Sequence, residues 1–184
     1  MKTRILKFSA LAVLLAASIG WAFAWDWPNY QRFNPTSVVD VPRDKQSTID
    51  GVAFSLADLI VIEGDSDEGR RYDVAEGTDL VVADLRVTPR EAREPDEVNG
   101  CDVRFHAPSP DGEREWRPAS SGASTYPEQA DEDVFGCQVV AGEDVVAGEP
   151  YVWRQFFVVP AGGAADGYLE VTIQSELPLA LHLH

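Results

Sequence analysis

The chain has 184 residues, 45% of them hydrophobic and 10% aromatic, which is the length of one ordinary domain with enough apolar side chain to build a core. Its 15 basic residues are outnumbered by 31 acidic ones, for a net charge of −16. A field of that sign repels phosphate backbones, so nucleic acid is excluded as the expected partner. The apolar content also excludes the class of disordered chains.

Met1 to Lys7 is a short basic flank, and Phe8 to Trp25 (FSALAVLLAASIGWAFAW) is an apolar run of 18 residues without a charge. As a helix that run rises about 27 Å, close to the thickness of a bilayer's hydrocarbon core. Ala22-Phe23-Ala24 has the small-x-small pattern of a signal-peptidase site, and cleavage after Ala24 would give a secreted product. The run is longer than a usual signal core, and Trp21, Trp25 and Trp27 gather where a helix would emerge from the outer face, as an interfacial aromatic belt does. The expectation is therefore a single-pass membrane anchor with the domain outside, and secretion is the alternative. The basic flank before the run orients the N-terminus inward. Residues 1–25 are read as signal-anchor or signal peptide, 26–36 as a tether broken by Pro28 and Pro35, and 37–184 as the folded domain. Without Lys2, Arg4 and Lys7, residues 25–184 carry 12 basic against 31 acidic groups, a net charge of −19.

Strand signals fill the domain. Ser37 to Val41 is short and β-prone. Asp50-Gly51 reads as a turn into Val52 to Ile62, where Val52, Phe54, Leu56, Ile60 and Ile62 fall on one face at period 2. Gly64 to Gly69 (GDSDEG) breaks the pattern, and Asp79 to Thr88 is apolar enough to be buried on both faces. Cys101, Val103 and Phe105 alternate with Asp102, Arg104 and His106, and a hairpin returns through Glu113 to Arg117, with a loop lengthened by Pro108 and Pro110. Pro118 to Asp133 reads as loop and Phe135 to Val140 as strand. Tyr151 to Val159, Leu169 to Ile173 and Leu177 to Leu183 predict three strands in succession, a meander. The fold class expected is all-β, an antiparallel β-sandwich of seven to nine strands preceded by an N-terminal apolar helix.

The only cysteines, Cys101 and Cys137, lie beyond the export segment, where thiols are oxidised, so they predict one structural disulfide. The long loop it closes gives such a crosslink about 4 kcal/mol in the chain-entropy model. Their spacing is short for the inter-sheet bridge of antibody domains, and Phe135 stands where a tyrosine corner needs Tyr.

No motif carries recognisable chemistry. His106 sits at an outward position of its strand and reads as an ordinary surface residue. His182 and His184 share a strand face, but no third metal ligand is visible. Asp65, Asp67, Asp73 and Glu76 mimic an EF-hand register, yet Arg70 stands where that loop needs glycine, which rejects it. No catalytic residue, metal or cofactor is assigned. Trp153 is expected in the core, whereas Trp116, flanked by Glu115 and Arg117, is a candidate stacking platform for carbohydrate.

The C-terminal run Phe156-Phe157-Val158-Val159-Pro160, then Leu169-Glu170-Val171-Thr172, then Leu177-Pro178-Leu179-Ala180-Leu181 resembles small extracytoplasmic domains of unknown function from Gram-positive, actinobacterial-type bacteria. The resemblance implies an immunoglobulin-like sandwich behind an N-terminal signal or anchor, and no functional residues. The expected role is a non-enzymatic binding or interaction module at the outer face of the membrane, contacting an envelope protein or polymer. The alternative is an envelope carbohydrate-binding module using Trp116, assisted by calcium.

Overall fold

The computed structural model describes residues 2–33, 35–91, 100–119 and 146–184, with side chains from residue 13 onward except 28–29 and 32–33. Helix α1 spans Lys2–Phe33. Nine described strands follow, namely β1 (Ser37–Val41), β2 (Ser47–Ile49), β3 (Val52–Glu63), β4 (Thr78–Pro89), β5 (Cys101–Ser109), β6 (Gly112–Trp116), β7 (Tyr151–Pro160), β8 (Tyr168–Ile173) and β9 (Leu179–Leu183), with a short helix α2 (Asp67–Arg71) between β3 and β4. They form two sheets, a five-stranded one in the order β1-β9-β8-β5-β6 and a four-stranded one in the order β2-β3-β4-β7. All pairings are antiparallel except β1 with β9.

Period-2 alternation builds the core. Val103 and Phe105 from β5, Leu169, Val171 and Ile173 from β8, and Leu181 and Leu183 from β9 face Phe54, Val81, Leu85 and Phe157 of the other sheet. Phe54, Phe105 and Phe157 are fully buried, and each such ring stabilises the fold by roughly 1.5–3 kcal/mol. Phe105 and Phe157 meet across the sandwich with ring centroids 5.7 Å apart.

The strand expected over Val52 to Ile62 forms, but its five apolar residues do not share one face. A β-bulge falls between Leu56 and Asp58, and its extra residue reverses the alternation beyond it. Val52, Phe54 and Leu56 enter the main core and Leu59 continues that row. Ile60 and Ile62 turn to the opposite face, where they join Tyr72, Leu80 and Val82 in a second cluster. β4 is consequently buried on both faces, as its apolar run requires. Asp50 and Gly51, at φ 49° and 70°, form the tight turn that joins β2 to β3.

Three further expectations are corrected. The β5–β6 hairpin has a two-residue loop, Pro110-Asp111, because Pro108 stays within β5 opposite Glu113. The last three strands are not a meander: β7 pairs with β4, while β8 and β9 lie in the other sheet, and Ala161 to Gly167 carries the chain across between them. Residues 26–33, expected as a broken tether, continue α1, where the rings of Phe23, Trp27 and Tyr30 succeed one another at 5.3 and 5.4 Å. The strand expected over Phe135 to Val140 lies outside the described residues.

Candidate functional site

The outer face of the five-stranded sheet holds the most densely connected polar groups described. Inward positions of β5, β8 and β9 are apolar, so Arg104, His106, Glu170, Thr172 and His182 point the other way. Ordinary outward residues would be solvated. Arg104, His106 and Glu170 are instead 1%, 7% and 5% exposed, and burial of charge on that scale demands partners.

Each strand of the sheet contributes one group to a row that alternates carboxylate and imidazole. From β6, Glu113 Oε1 lies 3.0 Å from His106 Nδ1 on β5. His106 Nε2 faces Glu170 Oε1 of β8 at 3.8 Å. The other oxygen of Glu170 lies 3.4 Å from His182 Nε2 on β9. His182 Nδ1 then faces Asp40 of β1 at 3.8 Å, and the same Asp40 oxygen is 3.5 Å from His184 Nε2. Tyr168 stands opposite His106 in the β5–β8 register and stacks on it with centroids 5.1 Å apart at 11°. It also meets the rings of His182 and His184 at 4.4 and 5.3 Å and donates its hydroxyl to Glu113 at 3.0 Å. All three histidines of the chain therefore surround one tyrosine. Beside the row, Arg104 donates to Asp102 at 2.7 Å and to Glu115 at 3.2 Å.

The electrostatics follow from this packing. Burial alone would lower the proton affinity of His106, but the carboxylates of Glu170 and Glu113 more than offset it, so its pKa lies above the ordinary 6.5. Burial alone would raise Glu170, yet its contacts with His106 and His182 hold it below the ordinary carboxylate value of 4.5. Tyr168 is raised by burial first and by Glu113 next, which keeps its hydroxyl protonated. His106 Nε2 is buried with no hydrogen-bond partner at normal length.

His106, read from sequence as an ordinary surface residue, is thus buried within an ionic row. The signal lay in pairing, which brings β6, β8 and β9 beside β5. His182 and His184 do share a face and do meet further acids. Among the described residues, however, no group of three or more His, Cys, Asp or Glu side chains is arranged to hold a metal ion. Asp67 pairs with Arg70 in α2, whose N-terminus is capped by Ser66 Oγ accepting from the Gly69 amide at 2.8 Å. Trp116 is half-buried and lies against Phe105 at 5.9 Å, at the margin of the core. Trp153 is buried in the core, as expected.

Cys101 opens β5 at the edge of the core, and Cys137 lies outside the described residues. Trp21, Trp25 and Trp27 all stand exposed on α1. Among the described residues no helix is long and apolar enough to cross a membrane. The described side chains begin at Val13, five residues into the apolar run that starts at Phe8.

No family model matches the chain, and no curated protein matches it. Three solved structures are similar. A conserved hypothetical protein from Bacillus anthracis is 10% identical, covering 77% of this chain and 93% of its own at a TM-score of 0.44. A secreted protein from Mycobacterium tuberculosis is 15% identical, covering 80% of this chain and 98% of its own at a TM-score of 0.42. An uncharacterised β-sandwich protein from Clostridium difficile is 7% identical, covering 80% of this chain and 97% of its own at a TM-score of 0.40.

Proposed function

We propose that the protein is a non-enzymatic extracytoplasmic interaction module, an immunoglobulin-like sandwich held at the outer face of a membrane by α1. The observation that carries this reading is the state of α1. Val13, Leu14, Leu15, Ile19 and Phe23 on that helix are all 60% or more exposed. The core of the sandwich is built from the strands without them, and large apolar surfaces left exposed are rare on soluble domains. A bilayer covers such a helix, with Trp21, Trp25 and Trp27 at its outer boundary. The acidic domain beyond Asp26 stays in water.

The neighbouring strands β9-β8-β5 support the immunoglobulin-like assignment: β8 and β9 are consecutive in the chain, whereas β5 and β8 lie side by side although β7 of the other sheet comes between them in sequence, as in the C-F-G sheet of such sandwiches. The non-enzymatic assignment rests on the company His106 keeps. Its contacts among the described residues are Glu113, Glu170, Tyr168 and His182, none of those a serine or thiol for an imidazole to activate. The tyrosine is itself biased against ionisation. Cys101 and Cys137 form the disulfide of the domain in this reading. An envelope protein or polymer is the partner class, approached through the loops or through β1, the last strand in its sheet's order.

The test is fractionation of cells producing the full chain, with N-terminal sequencing of the product. Retention in carbonate-washed membranes with residues 1–24 intact is expected. A soluble product beginning at Trp25 would replace the tether by secretion.

A further inference from the structure

We propose that a cavity between the outer face of the four-stranded sheet and the β1–β2 turn is a binding site for a phosphate group, held by the cations of Arg86, Arg43 and Lys45.

A turn and a bulge make the cavity. Between β1 and β2 the chain folds back at Pro42, whose carbonyl accepts from the Lys45 amide at 2.9 Å. Arg43 and Lys45 of that turn line a cavity of about 370 Å³ together with Arg86 of β4 and Ser55 of β3, which are directly paired across the sheet. A space of that size is in the range of small-ligand sites. Just beyond Ser55 the bulge inserts Ala57, which also lines the cavity and presents only a methyl group where a longer side chain would fill it.

These cations are not consumed by the protein's many acids. Arg86 stands on β4, an inner strand of its sheet, and its guanidinium forms no ion pair among the described residues. The carboxylate two residues before it, Asp84, is held by Arg154 through two bonds of 2.6 Å. Arg43 lies 3.7 Å from an oxygen of Asp58 that already accepts from the Leu59 amide at 2.9 Å. Lys45 lies 3.6 Å from Asp44. Both approaches exceed hydrogen-bond length, and exposed pairs of that kind contribute little. Counting Asp44 and Asp58 against them, the three cations still leave a positive patch on a chain of net charge −16. The Debye length is about 8 Å at physiological ionic strength, so the patch rather than the distant acids sets the local field.

The donors come from two sides, Arg86 and Ser55 from the sheet and Arg43, Lys45 and Gln46 from the turn and its continuation. A planar carboxylate presents two oxygens and is satisfied by one guanidinium fork, whereas a tetrahedral phosphate presents oxygens toward both walls at once. The Ser55 hydroxyl and the Gln46 amide supply neutral donors beside the charged ones. The inference gives the partner's chemistry within the interaction-module reading and is independent of the tether. A chain that proves to be secreted would keep the site, and a chain that fails to bind phosphate could still be anchored.

The experiment titrates inorganic phosphate, at constant pH and ionic strength, into the nitrogen-15-labelled full chain in phosphate-free maltoside micelles. Saturable shifts of the Arg86 Nε–H and of the Ser55 and Gln46 amides are expected, with a Kd on the order of 1 mM and acetate about tenfold weaker. Arg86→Gln should weaken phosphate about tenfold, while Arg114→Gln in the other sheet leaves it unchanged. Shifts that grow without saturating, acetate binding as tightly as phosphate, or an unchanged Kd in Arg86→Gln would overturn the proposal. If Arg86→Gln does not fold, Lys45→Gln in the exposed turn replaces it, with about threefold weakening expected and an unchanged Kd again overturning the site. Soluble glycerol phosphate should shift the same atoms. Shifts seen only when phosphatidylglycerol is added to the micelles would assign these cations to a lipid surface and overturn the cavity.

Discussion

Arg154 grips Asp84 through two parallel hydrogen bonds, Nε to Oδ1 and Nη2 to Oδ2, each 2.6 Å long. The two residues are 70 positions apart in sequence and directly paired between β4 and β7. Both side chains are only 15% exposed, and they continue, on the outer face of the four-stranded sheet, the row that Leu80, Val82 and Phe156 begin. Two-point geometry of this kind fixes register as well as charge.

Removing one partner leaves the other charge in a poorly solvated place. Asp84→Ala is therefore expected to lower stability by about 3 kcal/mol, read from the urea midpoint. The double change Asp84→Leu with Arg154→Met is expected to cost less than Asp84→Ala, because it removes the guanidinium together with its carboxylate. A double variant weaker than the single one would mean that the pair contributes more than it costs to desolvate.

Gly167 offers a packing test. A Cβ there would run into the ring of Phe105 at Cζ and Cε2 and lie 3.0 Å from the His106 carbonyl oxygen. Phe105 is fully buried between the sheets and has no room to retreat. Gly167→Ala is expected to cost about 2 kcal/mol by overpacking. Adding Phe105→Leu, itself destabilising, should recover part of that cost, so that the two changes together cost less than their sum.

Much of the fold is legible in the chain because burial writes a local period. Leu169, Val171 and Ile173, or Val103 and Phe105, declare their inward face within five residues. What local pattern does not contain is an inserted residue or a change of sheet. The bulge at Leu56 and Asp58 redirects Ile60 and Ile62, and β7 leaves the sheet of its successors, although both stretches read as regular strands. The site was less legible for the same reason. His106, Glu170 and His182 come from three strands separated by 64 and 12 positions, and alternation alone marks each as merely outward. Only the pairing of β5, β8 and β9 shows that outward here means shared and largely buried.

The disulfide is a separate prediction, because Cys137 lies outside the described residues. Peptide mapping without reductant is expected to recover Cys101 and Cys137 in one linked pair. Reduction should lower stability by about 4 kcal/mol in the chain-entropy picture, less any strain in the native bridge. Recovery of both as alkylated thiols from the exported protein would refute the pairing.

The pH dependence of global stability has a sign that can be worked out group by group. His106 is raised in the fold, so its contribution is complete below the ordinary imidazole value of about 6.5 and is lost as pH rises through the higher folded value. Glu170 is lowered, so its contribution is complete above the ordinary carboxylate value of about 4.5 and is lost as pH falls through the lower folded value. Both are complete together only between about pH 4.5 and 6.5. The domain is expected to be most resistant to urea in that mildly acidic window and to weaken toward about pH 8. General self-repulsion of an acidic domain also eases in acid, but salt screens that effect at exposed sites far more than it screens a contact 7% exposed. His106→Gln separates the two. It should remove most of the loss between about pH 6.5 and 8 in high salt, where wild type still shows it, while leaving the acid limb set by Glu170 in place. Identical curves for wild type and His106→Gln in high salt would assign the whole dependence to net charge.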